Sequence, residues 1–502
     1  MKKFKAIASA LLAAATVLSL TACEEEGVNS NSGAPGNATP ATTTTIASTT
    51  YAENAGVNDA VTNMDPTALD NPDLKVTKRL KWLAWNNWTI DETSAAAMLF
   101  KEVYGIPETG DDPSCAGQIF ENFSTSYEDR YTKLGSMIAS GDSPDLFPFE
   151  ALDFPYGVTQ NRYNAIDDIV DLNSAKWDAT RDLMEMYAFN GKHYCAFYEI
   201  SPNNLMYYRP ALIDEIGADD PKDLFDKGEW TWDAFLDIAR KWQSSAEGRY
   251  AIDGYNPEND FVISTGKPMV SNENGQLVNN LYSPEFERVQ QNMLSVLQSE
   301  NLRYPRHEVN SWNINTKEWL NGNILFYADG GYWVWKDNLA KYATSGKFTW
   351  GPDDVSFVPF PKDPMADDYY IALKQDAQMY VKGAENVDGI KAWIDCCATV
   401  ANDPDVRTAS FEQAIENYGW TRKNLEFYYE LTALDGSSPV KLLADFKGGL
   451  GTVSDGSSTQ NPIQSLTNMP YLTGESYVQL REQHNPAIQD AIDQINKALR
   501  EL

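Results

Sequence analysis

The chain has few histidines and little positive charge, and each shortage excludes a class of function. Its 502 residues include three histidines, His193, His307 and His484, which lie far apart. This spacing argues against a zinc centre and a histidine-based catalytic triad. The formal charge is −32 at pH 7, whereas nucleic acids and anionic membrane surfaces require a basic footprint. We therefore expect no metal, no cofactor and no nucleic-acid partner.

Cysteine is scarce as well, whereas aromatic residues are abundant. Five cysteines are present, and the adjacent pair Cys396 and Cys397 points in different directions on a helix, so no disulfide framework is evident. The 14 Trp and 26 Tyr exceed what core packing usually requires. Their flat faces with polar tips suit a ligand that stacks on rings.

The amino terminus predicts export. Residues 1–22 combine Lys2, Lys3 and Lys5 with an apolar stretch from Ala6 to Leu20, which is typical of a secretory signal peptide and too short for a stable membrane span. The ending Leu-Thr-Ala-Cys at residues 20–23 resembles the lipobox of bacterial lipoproteins. That resemblance implies lipidation of Cys23 and a protein anchored on the extracytoplasmic face of the cell membrane.

A tether follows the predicted lipid anchor. Residues 23–75 are rich in Thr, Ser, Asn, Gly and Pro, with Tyr51 as their only aromatic residue. Such a composition predicts a disordered segment, because it cannot bury enough apolar surface to form a core. We expect the folded body to begin at residue 76.

The body reads as α/β units. Residues 74–85, with Leu80, Trp82 and Ala84 alternating with Lys81 and Leu83, predict a first strand, which leads through a loop with Trp and Asn into a helix. Residues 324–327 predict a buried strand that ends in a turn at Gly330. Phe235, Ile238, Ala239 and Trp242 fall on one face of a helix capped by Thr231. A closing helix is expected from Asn485, with Pro486 in its first turn.

A run of segments resembles the extracellular solute-binding proteins, family 1, of ABC importers. Residues 138–146, Ile-Ala-Ser-Gly-Asp-Ser-Pro-Asp-Leu, are similar to the family's Gly-x-x-Pro-Asp segment, and residues 230–235 to its Thr-Trp-x-x-Phe helix start. The resemblance covers about residues 76–502. Other segments follow in the family's order, at residues 163–172, 189–194, 206–213, 322–333 and 357–362.

The resemblance implies a two-lobed α/β fold of the type II periplasmic-binding-protein class, with a ligand cleft between lobes joined by a hinge. Lobe 1 would comprise residues 76–200 and 368–405. Lobe 2 would comprise residues 205–365 and 410–502, with crossings near 201–204, 366 and 407. The lobes would close on a solute, and a membrane permease would recognise the closed, monomeric protein.

A carbohydrate is the ligand that this aromatic content favours, because a sugar has apolar C–H faces ringed by hydroxyls. The predicted ligand contacts lie in loops after strands, beside the first crossing, or after the turn at Gly330. They are Trp85, Asn86, Trp88, Phe149, Glu150, Asp153, Tyr198, Asn203, Trp312, Tyr332, Trp333 and Trp420.

Other interpretations stay open. Several of the rings, including Trp85 and Trp335, pack into the core in the alternative interpretation, and Glu150 is then a solvated carboxylate. A solute such as a peptide is the second candidate ligand, because a fold does not fix its ligand. A glycan-active enzyme would need two carboxylates across a scissile bond, for which Glu150 and Asp153 are candidates.

Overall fold

A computed structural model of the chain describes residues 55–85, 90–107, 117–305, 316–330, 350–418 and 420–450, together with 463, 466, 467, 470 and 474–502. The strands in chain order are β1 (Leu80–Trp85), β2 (Phe120–Thr125), β3 (Leu146–Pro148), β4 (Glu199–Pro202), β5 (Leu205–Tyr208), β6 (Tyr250–Gly254), β7 (Val270–Glu273), β8 (Gln276–Asn279), β9 (Ile324–Asp329), β10 (Ser356–Val358), β11 (Tyr370–Asp376), β12 (Gln378–Tyr380) and β13 (Lys441–Leu443).

The helices, in the same order, are α1 (Ala55–Thr62), α2 (Ala95–Tyr104), α3 (Arg130–Ser140), α4 (Tyr156–Thr159), α5 (Arg181–Met186), α6 (Pro210–Glu215), α7 (Pro221–Asp226), α8 (Trp232–Ser245), α9 (Pro257–Ile263), α10 (Pro284–Val289), α11 (Ser295–Ser299), α12 (Thr316–Leu320), α13 (Val387–Asn402), α14 (Pro404–Tyr418), α15 (Arg422–Leu431) and α16 (Tyr477–Glu501). Across the described ranges, none of these helices has both the length and the apolar content needed to cross a bilayer.

Lobe 1 is built on a sheet with the strand order β12–β3–β1–β2. Strand β1 is parallel to β2 and β3, whereas β12 runs antiparallel to β3. Leu80 and Leu83 are fully buried, because helices cover the sheet and leave its central strand no solvent-facing side. On one side α13 places Trp393 edge-on against Phe120 of β2, with ring centroids 4.8 Å apart. The first strand predicted from the sequence is therefore confirmed.

Lobe 2 is built on a second sheet with the order β10–β5–β9–β6. Strand β9 lies inside this sheet, parallel to β6 and antiparallel to β5, and all its residues are buried. Helix α8 packs on this sheet with Phe235 against Phe326 at 5.4 Å. The Thr231 side chain caps the helix by accepting from the backbone N–H of Ala234, as the sequence predicted.

A third, small sheet of order β13–β11–β4 joins the lobes. Strand β4 leaves lobe 1 and leads after two residues into β5 of lobe 2, and β11 leads back into β12 of lobe 1. The two strands pair antiparallel, with Leu373 opposite Pro202. Because the crossings are hydrogen-bonded to each other, they bend together, as a hinge requires.

The folded body begins earlier than residue 76, which corrects the tether prediction. Helix α1 buries Val57 and Val61, and the backbone N–H groups of Asp70 and Asn71 donate to the Asp395 carboxylate of α13. Residues 55–75 therefore belong to lobe 1. The composition-based prediction missed them because a few apolar residues suffice when a neighbouring helix supplies the other side of the core.

The third crossing lies beyond residue 407. Helix α14 packs closely on α1. At their contact, a Cβ atom added to Gly56 of α1 would lie only 3.7 Å from the Cβ atom of Ala409 in α14. Helix α15 belongs to lobe 2, because Asn424 Nδ2 donates to the carbonyl of Val355 and Phe427 stacks on Phe357. The chain thus passes between the lobes near Trp420, whereas the sequence placed all of residues 410–502 in lobe 2.

The closing helix is also longer than expected. It begins after Ser476, whose side chain forms a capping box with Gln479, and Pro486 lies inside it. Its buried positions run from Tyr477 through Ile488 to Leu499. Burial along the whole face offsets the backbone hydrogen bond that Pro486 cannot donate.

Candidate functional site

The carboxyl ends of the parallel strands in both lobes lie beside the hinge. Strands β1, β2 and β3 end at Trp85, Thr125 and Pro148, and β12, which follows the hinge strand β11 after one residue, starts opposite Pro148. In lobe 2, β6 and β9 end where β5 begins, with Asp329 opposite Leu205. A crevice outside the carboxyl ends of strands is where open α/β sheets bind ligands. These two edges define the candidate site.

At the edge of lobe 1, five side chains form a unit that we call the Arg130 cluster, comprising Trp85, Tyr127, Arg130, Tyr131 and Glu150. The Arg130 guanidinium carbon lies 3.6 Å from the Tyr127 ring centroid, 4.3 Å from that of Tyr131 and 5.3 Å from that of Trp85. Such distances are those of cation–π contacts. Tyr127 and Tyr131 are half-buried, so their rings keep solvent-facing surface.

Glu150 closes the cluster on its other side. Arg130 donates to it from Nε and Nη2, both at 2.8 Å, in a bidentate pair, and the Tyr131 hydroxyl donates to it as well. Burial raises the pKa of Tyr131, which therefore stays neutral and keeps its proton for this bond. Glu150 was predicted as an acceptor for a solute hydroxyl, but three donors already occupy most of its acceptor positions.

Asp153 lies in the interior of lobe 1. Its carboxylate accepts from Arg162 and from the Tyr163 hydroxyl, the latter at 2.8 Å. Burial raises the pKa of Asp153 to about 6, against the opposing effect of Arg162. The side chain offers a solute no surface in this arrangement. Glu150 and Asp153, the two carboxylates that the enzyme alternative would use, are thus each paired with an arginine in this structure.

Two of the aromatic residues predicted to contact ligand, Trp85 and Trp420, are core residues in this structure. Trp85 is 2% exposed and packs on Phe147, with ring centroids 5.6 Å apart. Trp420 is 4% exposed and lies between Phe357 and Tyr428. Sequence could not separate these rings from ligand-facing ones, because a strand end or loop position does not reveal which neighbours fold over it.

Other predicted residues lie nearer the hinge. Phe149 is half-buried and packs on Phe154 and Phe197, with centroids 5.5 and 5.6 Å apart. Tyr198 is half-buried just before β4, and Asn203 is exposed between β4 and β5. These three residues are the predicted contacts that keep accessible surface beside the crossing. Asn86, Trp88, Trp312, Tyr332 and Trp333 lie outside the described residues, as does Cys23.

The edge of lobe 2 contributes amides and a buried carboxylate that the sequence did not single out. Asn204 Nδ2 donates to the Tyr255 carbonyl and to Asp260 Oδ2, each at 2.7 Å. Burial raises the pKa of Asp260 to about 7. The network fixes the end of β6 and the start of α9 to the first crossing. Tyr255, which directly follows β6, is half-buried.

Tyr127 and Arg130 are not among the contacts predicted from the sequence. Their position in the sequence could have indicated a site, because both residues follow shortly after β2, at the carboxyl edge of the lobe 1 sheet. In the part of the chain that the structure describes, no group of three or more His, Cys, Asp or Glu side chains is arranged to hold a metal ion.

Two α/β lobes, a paired hinge and a crevice between carboxyl edges define a type II binding-protein fold. The chain belongs to the bacterial extracellular solute-binding protein family, whose profile matches residues 122–403. It is thus a member of a family of solute-binding proteins. No curated protein sequence matches the chain.

Solved structures share this fold at low sequence identity. An ABC substrate-binding protein from Listeria monocytogenes in complex with cycloalternan is 14% identical, with a TM-score of 0.55 over 84% of this chain and 99% of the other. The GacH receptor of Streptomyces glaucescens, solved with acarbose, is 12% identical, with a TM-score of 0.55 over 85% and 99%. UgpB from Mycobacterium tuberculosis, in complex with glycerophosphocholine, is 15% identical, with a TM-score of 0.54 over 83% and 99%.

Proposed function

We propose that this solute-binding protein captures a carbohydrate, in particular an oligosaccharide, in the cleft between its lobes and delivers it to the permease. The observation that carries the proposal is the Arg130 cluster, which presents two half-buried tyrosines at the carboxyl edge of lobe 1. Asn203, between β4 and β5, is exposed, and Tyr255, directly after β6, is half-buried; we propose that both contribute hydrogen-bonding groups to the crevice. This combination of rings and hydrogen-bonding groups suits a sugar.

The similar structures support a small polar ligand but differ in its nature. Two of them were solved in complex with cycloalternan and with acarbose, and the third in complex with glycerophosphocholine. The aromatic edge of lobe 1 favours the first two. Trp88 and Trp333, from the first loop and from the turn after β9, remain proposed as additional platforms, with Asn86, Trp312 and Tyr332 beside them.

We further propose that Cys23 carries a lipid and that residues 24–54 link the folded body to the outer face of the membrane. The basis is the leader and the Leu-Thr-Ala-Cys ending in the sequence. Fractionation of cells expressing the wild type and a Cys23→Ala variant tests this. We expect the wild type in the membrane fraction and the variant to be released, and equal partitioning would contradict it.

A thermal-shift screen on the chain starting at Glu24 tests the ligand class. The probes are maltotetraose, acarbose, glycerophosphocholine and tetra-alanine. A ligand at 100 times its Kd stabilises by about 2.7 kcal/mol, which raises the melting temperature by several degrees. We expect a shift with a glycan and none with the peptide. Stabilisation by tetra-alanine alone would replace the carbohydrate proposal with the peptide alternative.

The same preparation separates binding from turnover. Incubation with maltotetraose, followed by chromatography of the sugar, should return it intact. Release of shorter sugars at a rate that follows protein concentration would instead favour the enzyme alternative.

A further inference from the structure

Arg130 and Trp85 both contact the Tyr127 ring. Arg130 Nη1 donates to the backbone carbonyl of Tyr127, while the same guanidinium covers one face of its ring at 3.6 Å. Trp85 meets the ring at 68° with centroids 6.3 Å apart, in an edge-to-face arrangement. A ligand that stacks on Tyr127 must therefore use the opposite face.

The guanidinium is itself fixed. Four of its five N–H groups have partners, namely two on Glu150, one on the Tyr127 carbonyl and one on the Tyr131 hydroxyl. Arg130 is 6% exposed, so these bonds are protected from water. The planar fork and its bidentate carboxylate leave the ring beneath them little freedom to tilt.

The charge of the cluster is balanced as well. Arg130 pairs with Glu150, and Arg162 pairs with Asp153 behind them. An acidic sugar would thus find no pair of free guanidinium N–H groups on Arg130 to bind its carboxylate. A neutral pyranose ring needs only an aromatic face on which to stack.

We propose that Tyr127 is the aromatic platform of lobe 1 for a neutral sugar ring and that Arg130 and Glu150 are positioning residues that hold it. The inference rests on the proposed carbohydrate function. In this proposal Tyr127 of lobe 1 contacts the sugar ring. Glu150 pairs with Arg130 and does not bind the solute.

Fluorine NMR of the chain labelled with 3-fluorotyrosine tests the positioning without any ligand. The Tyr127 signal is assigned as the one that Tyr127→Phe removes. Glu150→Gln and Arg130→Lys should shift and narrow this signal, because the ring gains motion when its clamp loosens. The control is Glu215→Gln, which weakens another Glu–Arg pair, in lobe 2, and should leave the signal unchanged. An unchanged Tyr127 signal in Glu150→Gln would overturn the inference.

Calorimetry with maltotetraose and with tetragalacturonate tests the contact. Tyr127→Ala should weaken maltotetraose binding at least tenfold, and Glu150→Gln about threefold to tenfold. Tyr127→Phe and Glu215→Gln should bind it as the wild type does, and tetragalacturonate should bind more weakly than maltotetraose. Equal affinity of Tyr127→Ala and the wild type, or tighter binding of tetragalacturonate, contradicts the inference.

The two proposals fail in different ways. If maltotetraose binds the wild type without moving the Tyr127 signal, the carbohydrate function stands and the platform assignment is overturned. If tetra-alanine binds and moves the signal while neither sugar binds, the carbohydrate function and the neutral-sugar platform are overturned. Arg130 and Glu150 then hold a platform for a peptide.

Discussion

The two lobes each contain a guanidinium stacked on a ring and paired with a glutamate. In lobe 1 these are Arg130, Tyr127 and Glu150. In lobe 2 the Arg249 guanidinium carbon lies 3.8 Å from the Trp242 ring centroid, and its Nη2 lies 2.7 Å from Glu215 Oε1. We call this second group the Arg249 cluster.

Their positions on the sheets differ. The Arg130 cluster follows the carboxyl ends of β2 and β3, whereas Arg249 directly precedes β6 and thus lies at its amino end. The ring also differs, because Trp242 is fully buried while Tyr127 keeps exposed surface. The same chemistry therefore holds a fully buried ring in lobe 2 and a half-buried ring in lobe 1, where we propose that the ring contacts the solute. We attribute this difference to the end of the sheet at which each cluster lies, which is the carboxyl end in lobe 1 and the amino end in lobe 2.

Removing the carboxylate from each cluster gives the largest expected contrast. Glu150→Ala leaves Arg130 buried without its partner and should lower the free energy of unfolding by about 3 kcal/mol. Glu215 is half exposed, so Glu215→Ala should cost less than about 1 kcal/mol. Urea unfolding followed by circular dichroism measures both. Equal losses of unfolding free energy in Glu150→Ala and Glu215→Ala would contradict the expected difference in burial between the two ion pairs.

Asp153, behind the Arg130 cluster, adds a pH dependence. Burial raises its pKa to about 6 from an ordinary value near 3.8, so the folded state binds its proton more tightly than the unfolded state does. The contribution of Asp153 to the free energy of unfolding is therefore fully present below pH 4 and is lost as the pH rises through 6. A shift of about 2 units corresponds to about 3 kcal/mol.

The matching variant is Asp153→Asn, which cannot titrate. Relative to the wild type, it should become more stable by about 2 to 3 kcal/mol as the pH rises from 4 to 7. Urea unfolding of both proteins at each pH measures the difference. A constant difference across this range would mean that Asp153 keeps its ordinary pKa in the fold.

The smallest effect is expected at the Arg249 cluster. Arg249→Lys keeps the charge but loses the planar stacking on Trp242, and it should cost less than about 1 kcal/mol. Affinity for maltotetraose should not change, because the cluster lies at the amino end of β6. A weakening of binding comparable to that in Arg130→Lys would remove the distinction between the two sheet ends.

The hydrophobic pattern alone predicted much of the framework. Strands β1 and β9 and the start of α8 follow from apolar runs and a capping threonine, and the structure confirms all three. The two-lobed class was predicted from the order of several weak segments. The sequence also predicted ligand contacts after β3, and Glu150 from that segment pairs with Arg130 in the structure.

The roles within that edge were not predictable from local sequence. Trp85 was expected to face ligand and is buried, while Tyr127 was not among the predicted contacts and is half-buried beside Arg130. Glu150 and Arg130 are 20 residues apart, and only the parallel pairing of β1 with both β2 and β3 brings them together. The same holds for α1, whose short apolar face becomes a core only against α14.

The sequence by itself determined the strands, the capped helices, the predicted export signal and the class of protein, because these depend on local periodicity and on motifs in order. Tertiary structure decided which ring is exposed, which carboxylate is already paired and where the chain crosses from one lobe to the other. Those properties depend on contacts between residues far apart in the chain. No pattern within one segment contains them.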